Sequence, residues 1–352
     1  MANATIKKSP SLIPHGAVTL PAVTVDTYNA ELKSGDGFLG DRANKQAFAT
    51  ILEEWRKRLR RLEGDSLREL KDVDRKHLEK VLLESDNLEA AGLVHTAIED
   101  FANDLAAVIK KFLTLKDWKG TERIVIGGGF RSGRIGELVI GRTAVLLKGD
   151  GKNVDLTPIR SDPDQAGLLG AAQLAPPWIF SGHDSILAID VGGTNIRAGI
   201  VELRLKKEVD LSESRVVESE RWRHADDEPG RKEAVARLIK MLRKLIDHAK
   251  SEKMKLAPFI GLGCPGIVNE DGSIERGGQN LPGNWESNRF NLPEEIQEEI
   301  PEIGEHPTVV VMHNDAVVQG LSEVPSMKDV KHWGVLTIGT GLGNARFTNR
   351  TS

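Results

Sequence analysis

Apolar residues recur every three or four positions in three long stretches of the chain. These stretches lie at residues 43–62, 88–115 and 229–250. Such spacing places the apolar side chains on one face of a helix, so each stretch is predicted to form an amphipathic helix. A shorter helix, rich in small residues, is predicted over 164–175, where two consecutive prolines end it.

Short runs rich in Ile and Val predict buried strands between these helices. Pro21 interrupts the first run, which favours a position at the edge of a sheet. Two of the segments contain a strand, a glycine-rich turn and a second strand. The predicted strand segments are 17–25, 123–127, 154–159, 186–203, 216–223, 259–263, 308–312 and 333–347.

The order of these elements indicates two similar units. Residues 184–323 follow the order β-β-β-α-β-α-β-α of a ribonuclease-H-like unit, and 333–347 repeats the beginning of that order. Joining residue 352 to residue 17 would supply the missing elements of a second unit. Such a permutation is structurally easy, because chain termini often lie close together. We therefore predict an α/β fold of two ribonuclease-H-like lobes, circularly permuted. The alternative is two unrelated α/β domains, with 333–352 as an isolated hairpin.

The predicted lobes have the following boundaries. The larger lobe comprises residues 1–178 and 329–352, and the smaller lobe comprises residues 179–328.

Charge and cysteine content narrow the function classes. Lys and Arg number 48 against 52 Asp and Glu, a net charge of -4, which offers no broad surface for nucleic acid or an anionic membrane. Cys264 is the only cysteine, which excludes an internal disulfide and a multi-cysteine zinc site. No apolar run approaches the roughly 20 residues of a membrane helix. We expect a cytoplasmic protein without a secretory leader.

The turn within residues 186–203 carries candidate chemistry. Paired glycines let main-chain N–H groups approach an anion, and a carboxylate beside them can hold Mg²⁺ that binds phosphate. An ordinary hairpin with glycine in its turn is the alternative. The turn and its flanking carboxylate comprise Asp190, Gly192, Gly193, Thr194 and Asn195.

Several local motifs together resemble the ROK family of sugar kinases and sugar-responsive repressors. Asp190–Arg197 is similar to its first phosphate motif, and Ile338–Gly343 is similar to its second. Asn314-Asp315 resembles its sugar-binding and catalytic pair. The remaining similar segments are Gly263–Gly266, Gln279–Trp285, Ile124–Gly129 and Ala166–Ala172. The resemblance implies the actin-like ATPase/hexokinase fold, with the order of the motifs rotated.

The resemblance also implies ATP-dependent phosphorylation of a sugar, glucose or a related hexose, with ATP and Mg²⁺ as cofactors. Asp315 would be the general base, and Asn280 and Asn314 would bind the sugar with it. A helix N-cap is the alternative for Asp315, and turn chemistry is the alternative for Asn280.

The other implied roles concern the nucleotide. Asp190 would hold Mg²⁺ through water, and glycine turns from the two lobes would bind the phosphates. The glycines at 127–129 would lie against adenine, or would simply form a tight strand-to-helix turn. The phosphate and adenine residues are Gly192, Gly193, Thr194, Asn195, Gly339, Thr340, Gly341, Gly127, Gly128 and Gly129.

Two family features are missing from this sequence. Neither the Glu-x-Gly-His stretch nor the cysteine-rich zinc loop follows Gly343, so no zinc is expected. His15-Gly16 would lie near the former position after rejoining, without the glutamate. A homodimer is compatible with the resemblance. The rival functions are a non-catalytic sugar sensor and an actin-like assembly protein.

Overall fold

The computed structural model describes residues 13–34, 37–61, 65–67, 75–84 and 86–350. Within these residues we number strands and helices in chain order. The strands are β1 (Val23–Tyr28), β2 (Lys33–Ser34), β3 (Gly37–Phe38), β4 (Arg123–Gly127), β5 (Asp155–Pro158), β6 (Ser185–Val191), β7 (Ile196–Glu202), β8 (Arg215–Trp222), β9 (Leu256–Cys264), β10 (Ile267–Val268), β11 (Ile274–Arg276), β12 (Glu302–Ile303), β13 (His306–Pro307), β14 (Val309–Asn314), β15 (His332–Ile338) and β16 (Leu342–Asn349). The helices are α1 (Lys45–Arg60), α2 (Arg75–Glu84), α3 (Leu88–Phe112), α4 (Arg134–Gly149), α5 (Ala166–Ala171), α6 (His224–Asp227), α7 (Arg231–Ser251), α8 (Leu292–Glu299) and α9 (Asp315–Leu321).

The chain divides into two compact units, and the α/β class predicted from the sequence is confirmed. Unit I contains the described residues up to Pro21 together with Ala171–Asn314. Unit II contains Ala22–Gly170 and the described residues from Asp315 onward. The circular permutation stays a prediction.

A five-stranded sheet forms the centre of unit I, with the strand order β14-β9-β6-β7-β8. β6, β7 and β8 are antiparallel, whereas β9 and β14 run parallel to β6. The predicted helix over 229–250 is α7, which packs on β7 and β8. This packing buries its apolar stripe, which includes Leu238 and Leu242, neither of which is exposed. Two candidate site residues lie near the ends of strands in this sheet, Asp190 in β6 and Asn314 in β14.

Unit II has a sheet of the same layout, with the order β1-β16-β15-β4-β5. β15 and β16 form the antiparallel hairpin predicted over 333–347, and β4 and β5 follow in parallel. The predicted helix over 88–115 is α3, which packs against α1 and α4. Its buried face includes Phe101, Leu105 and Ile109, none of which has any exposed surface.

One predicted strand is misplaced, and α4, like α2 and α6, was not predicted. The strand expected over 17–25 is β1, which begins only after Pro21 and lies at the edge of its sheet. Proline has no main-chain N–H to donate to a ladder, so the strand starts beyond it. α4 lies in a stretch for which no element was predicted, although its buried residues Ile135, Val139 and Leu147 have helical spacing.

The predicted helix over 164–175 is α5 followed by a single 3₁₀ turn, Ala172–Leu174. No helix among the described residues combines the length and the apolar character that crossing a membrane requires.

Candidate functional site

The turn between β6 and β7 in unit I is held by a hydrogen bond within the turn and by two contacts from α6. Within the turn, the N–H of Gly192 donates to the carbonyl of Asn195 at 2.8 Å. From α6, a ring nitrogen of His224 lies 2.8 Å from the carbonyl oxygen of Gly192. The N–H of Ala225 donates to the carbonyl of Thr194 at 3.3 Å. These bonds engage carbonyl oxygens of the turn, so they fix its backbone conformation.

Asp190 is the penultimate residue of β6, close to this turn, and only 5% of its surface is exposed. In the β6–β7 register it is paired with Arg197, whose Nη1 lies 3.2 Å from Asp190 Oδ2. The guanidinium therefore compensates the buried carboxylate. The carboxylate and the turn together provide an oxygen ligand beside several main-chain N–H groups.

Asn280 lies against the same turn. A Cβ atom added to Gly193 would lie 3.1 Å from the Cβ of Asn280, which is closer than most real contacts of this kind. Glycine at this position therefore permits the close approach of the two segments. The structure thus brings a predicted phosphate-binding residue next to a predicted sugar-binding residue within one unit.

Asn314, at the end of β14, is almost completely buried at 2% exposure. Its Nδ2 donates to the carbonyl oxygen of Gly266 at 3.0 Å. Gly266 has φ +104°, and a Cβ there would lie 2.6 Å from the carbonyl oxygen of Arg276. Only glycine fits this position. The segment 263–266, singled out from the sequence, therefore orients the Asn314 amide.

In unit II, the turn between β15 and β16 contains Gly339, Thr340 and Gly341. The N–H of Gly339 donates to the carbonyl of Gly341 at 2.9 Å, and its carbonyl accepts from the N–H of Lys45, the first residue of α1, at 3.0 Å. Thr340 and Gly341 are exposed.

Packing does not explain the glycines of this second turn. No described atom lies within 4 Å of a Cβ added to Gly341, and the nearest atom to a Cβ on Gly339 is 3.8 Å away. Neither residue has positive φ. The chain itself would accept a side chain at both positions. The absence of side chains at Gly339 and Gly341 leaves the backbone of the turn accessible to a ligand.

The glycines at the end of β4 and directly after it are more tightly packed than those of the second turn. Gly128 has φ +79°, and a Cβ there would lie 2.5 Å from the carbonyl oxygen of Ile338. The N–H of Gly128 donates to Oε1 of Gln319 at 2.9 Å, and the same oxygen would lie 2.7 Å from a Cβ on Gly127. Close packing against main-chain atoms and a positive φ therefore account for Gly128, as in the tight-turn alternative, whereas the contact at Gly127 is with the end of a side chain. Contact of residues 127–129 with adenine stays a prediction.

Asp315 is the first residue of α9 and is half-buried. It follows Asn314 directly, at the point where the chain passes from unit I to unit II. A carboxylate in the first turn of a helix is stabilised by the unpaired N–H groups there. The general-base role of Asp315 and its helix-capping alternative both stay predictions.

Few side chains among the described residues could serve together as metal ligands. Among the described residues, no three His, Cys, Asp or Glu side chains cluster closely enough to form a metal site. Mg²⁺ in phosphate-transferring sites is commonly held by one or two carboxylates, with water and substrate phosphates completing its coordination. A single carboxylate at Asp190, beside an open turn, fits that mode.

Three residues near these turns escaped the sequence predictions. His224 holds Gly192, Gln319 holds Gly128, and Lys45 holds Gly339. No motif marks His224 or Lys45. Gln319 follows Asp315 by four positions on the same helix, and this spacing could have indicated that it shares a face with Asp315.

The protein therefore has an α/β fold with two hairpins that turn at glycines, and an acidic residue, Asp190, lies near the end of β6 before the first of these turns. Residues 186–351 match the ROK family model. This part of the chain is therefore similar to the ROK family, in agreement with the motifs at residues 190–197 and 338–343.

Two solved structures show partial similarity. A "putative N-acetylmannosamine kinase" from Listeria monocytogenes is 26% identical, with a TM-score of 0.34, and the match covers 47% of this chain and 47% of that chain. A ROK hexokinase from Thermus thermophilus is 20% identical, with a TM-score of 0.30, covering 46% and 45%. The match thus spans about half the length of each of these proteins. A comparison with curated protein sequences gave no match.

Proposed function

We propose that this protein transfers the γ-phosphoryl group of ATP to a hydroxyl group of a sugar, glucose or a related hexose. The family match supports this class of reaction. The observation that supports the proposal is the close approach of Gly193 and Asn280, because it brings the turn proposed to bind phosphate next to the amide proposed to bind the sugar, within unit I. Phosphoryl transfer requires both kinds of group at one site.

In this proposal, Asn280 and Asn314 bind hydroxyl groups of the sugar. An amide both donates and accepts hydrogen bonds, which suits hydroxyl groups. The bond to Gly266 fixes the direction of the Asn314 side chain. Asp315, the next residue, accepts the proton of the attacking hydroxyl as the new bond to phosphorus forms and the bond to the leaving oxygen of ADP breaks.

A phosphate-binding role, through main-chain N–H groups, is proposed separately for each glycine turn. Asp190 would hold Mg²⁺ through water molecules, and the ion would neutralise phosphate charge as transfer proceeds. Arg197 keeps the Asp190 carboxylate in place. His224 keeps the first turn in the conformation that presents its N–H groups.

The test is sugar-dependent release of ADP, measured in a coupled assay with glucose, mannose, fructose and N-acetylmannosamine at fixed ATP and Mg²⁺. The proposal predicts that at least one sugar accelerates ADP release well above the rate without sugar. A protein that binds a sugar with no such release would be a sensor. Filaments that form with ATP and show no dependence on sugar would indicate an assembly protein.

A further inference from the structure

Residues 15–17 lie along the outer edge of β14. β14 is the last strand of the unit I sheet and pairs with β9 alone in that sheet. The N–H of Gly16 donates to the carbonyl of Met312 at 2.9 Å, and the N–H of Met312 donates to Nδ1 of His15 at 3.0 Å. An imidazole nitrogen thus takes the place of a main-chain carbonyl from a further strand.

The contacts continue along β14 toward its end. Nε2 of His313 lies 3.2 Å from the carbonyl oxygen of Ala17, and Nδ1 of His313 accepts from the N–H of Asn314 at 2.7 Å. His313 and Asn314 are buried, at 1% and 2% exposure. Residues 15–17 therefore hold the backbone up to the residue that precedes Asp315.

Gly16 shows that this arrangement is specific. Its φ is +55°, and a Cβ would lie 2.2 Å from the carbonyl oxygen of Val268 in β10. A contact of 2.2 Å with main-chain oxygen cannot be relieved by a side-chain rotation. Glycine at 16 lets the segment fit between β10 and β14, with His15 beside Met312.

The environment of His15 favours the neutral imidazole. Burial lowers the pKa of His15, and the carboxylates of Asp271 and Glu294 offset this only in part. Asp271 lies in the turn between β10 and β11, Glu294 lies on α8, and His313 is the neighbouring titratable group on β14. The neutral form is required because a protonated Nδ1 cannot accept the Met312 N–H.

We propose that His15 is a positioning residue, whose imidazole completes the hydrogen bonding of edge strand β14 and thereby holds Asn314 and Asp315 in place for the sugar. The assignment of the sugar to these two residues rests on the proposed function. An unpaired edge strand has main-chain groups with no partner, so the loss of the His15 bond frees the strand end to move.

The experiment compares His15→Leu, which removes the acceptor, with His15→Asn, whose side-chain oxygen can replace Nδ1. His306→Leu is the control, since His306 is exposed in β13. Hydrogen exchange of the peptide containing residues 309–314 reports the strand directly and needs no ligand. Circular dichroism confirms that each variant is folded.

His15→Leu should raise amide exchange at Met312–Asn314 at least tenfold and lower kcat/KM for glucose at least tenfold, with KM for ATP changed less than twofold. His15→Asn should restore both quantities to within threefold of the parent. Protonation of His15 at low pH should lower kcat/KM in the parent, because a protonated Nδ1 cannot accept the Met312 N–H. This loss should be absent in His15→Asn, because asparagine does not titrate.

Unchanged exchange in His15→Leu would overturn the inference, whatever its activity. Faster exchange with unchanged kcat/KM for glucose would overturn the positioning role. The proposed function fails on a different result, namely no sugar-dependent ADP release by the parent protein. That result would also remove the catalytic half of this inference, while the exchange measurement would still decide the structural half.

Discussion

Arg197 places its Nη1 atom 3.2 Å from Oδ2 of Asp190, across the β6–β7 hairpin. Both side chains are largely buried, with 16% and 7% of their surfaces exposed. The pair sits beside the turn to which the proposal assigns phosphate, and Asp190 itself is the residue proposed to hold Mg²⁺. Neither charge can be removed without leaving the other in a poorly solvated place.

This pairing predicts non-additive effects on stability. Asp190→Asn and Arg197→Gln should each lower the free energy of unfolding by roughly 2–3 kcal/mol, because each leaves one partly buried charge without compensation. The double variant should lose less than the sum, since no orphaned charge remains. Urea denaturation of the four proteins measures the coupling. Strictly additive losses would show that the two side chains do not interact in solution.

The two kinds of glycine predict opposite phenotypes. Gly341→Ala should fold with unchanged stability, because no described atom lies within 4 Å of the new Cβ, yet it should raise KM for ATP about tenfold by crowding the phosphates. Thermal unfolding and ATP titration of ADP release measure the two quantities. Parental KM in Gly341→Ala would contradict a phosphate-binding role for this turn.

Gly128→Ala is the matched comparison. The added Cβ would lie 2.5 Å from the carbonyl oxygen of Ile338, at a φ of +79°. We expect a loss of roughly 2–3 kcal/mol in the free energy of unfolding from this strain and overlap. Thermal and urea unfolding measure it. A fully stable Gly128→Ala protein would show that the β4–β15 packing is looser than described.

His313 predicts a dependence of stability on pH. Burial lowers the pKa of His313 to about 4 from the ordinary value of 6.5. Above 6.5 the imidazole is neutral in both states, and the fold keeps its full stability. As pH falls from 6.5 toward 4, the His313 imidazole takes up a proton in the unfolded chain but stays neutral in the folded protein. The free energy of unfolding should therefore fall by about 3 kcal/mol over that interval from this residue.

The measurement compares the parent with His313→Asn in urea denaturation at several pH values. The variant lacks the titrating group, so its stability should decline less between pH 6.5 and 4. His306→Asn, an exposed position, is the control and should follow the parent. Identical slopes for the parent and His313→Asn would rule out a buried neutral imidazole.

Periodicity predicted the long helices well because their buried stripes are regular. α3 and α7 are examples, with buried residues such as Phe101 and Leu238 at helical spacing. The strand near Pro21 was misplaced because sequence apolarity extends across a residue that cannot join a ladder. α4 was missed although its pattern was present.

The candidate site was predictable where a local motif encodes it and not where distant residues complete it. The turn around Gly192 was identified from adjacent residues alone. Its support by His224, 32 positions away, depends on how β8 and α6 return to the turn. The contact between His15 and Met312 joins residues 297 positions apart, and no spacing rule relates them.

Asp315→Asn tests the central claim most directly, because asparagine keeps the size and helix-capping ability of aspartate but cannot serve as the base. The measurement is kcat for sugar-dependent ADP release, with Asp117→Asn, an exposed aspartate in the first turn of a 3₁₀ helix, as control. We predict a fall in kcat of roughly 10²-fold or more for Asp315→Asn, with KM for ATP within about threefold, and parental rates for Asp117→Asn. If Asp315→Asn kept more than about a tenth of the parental kcat, Asp315 would not be the general base and the proposed mechanism would be wrong.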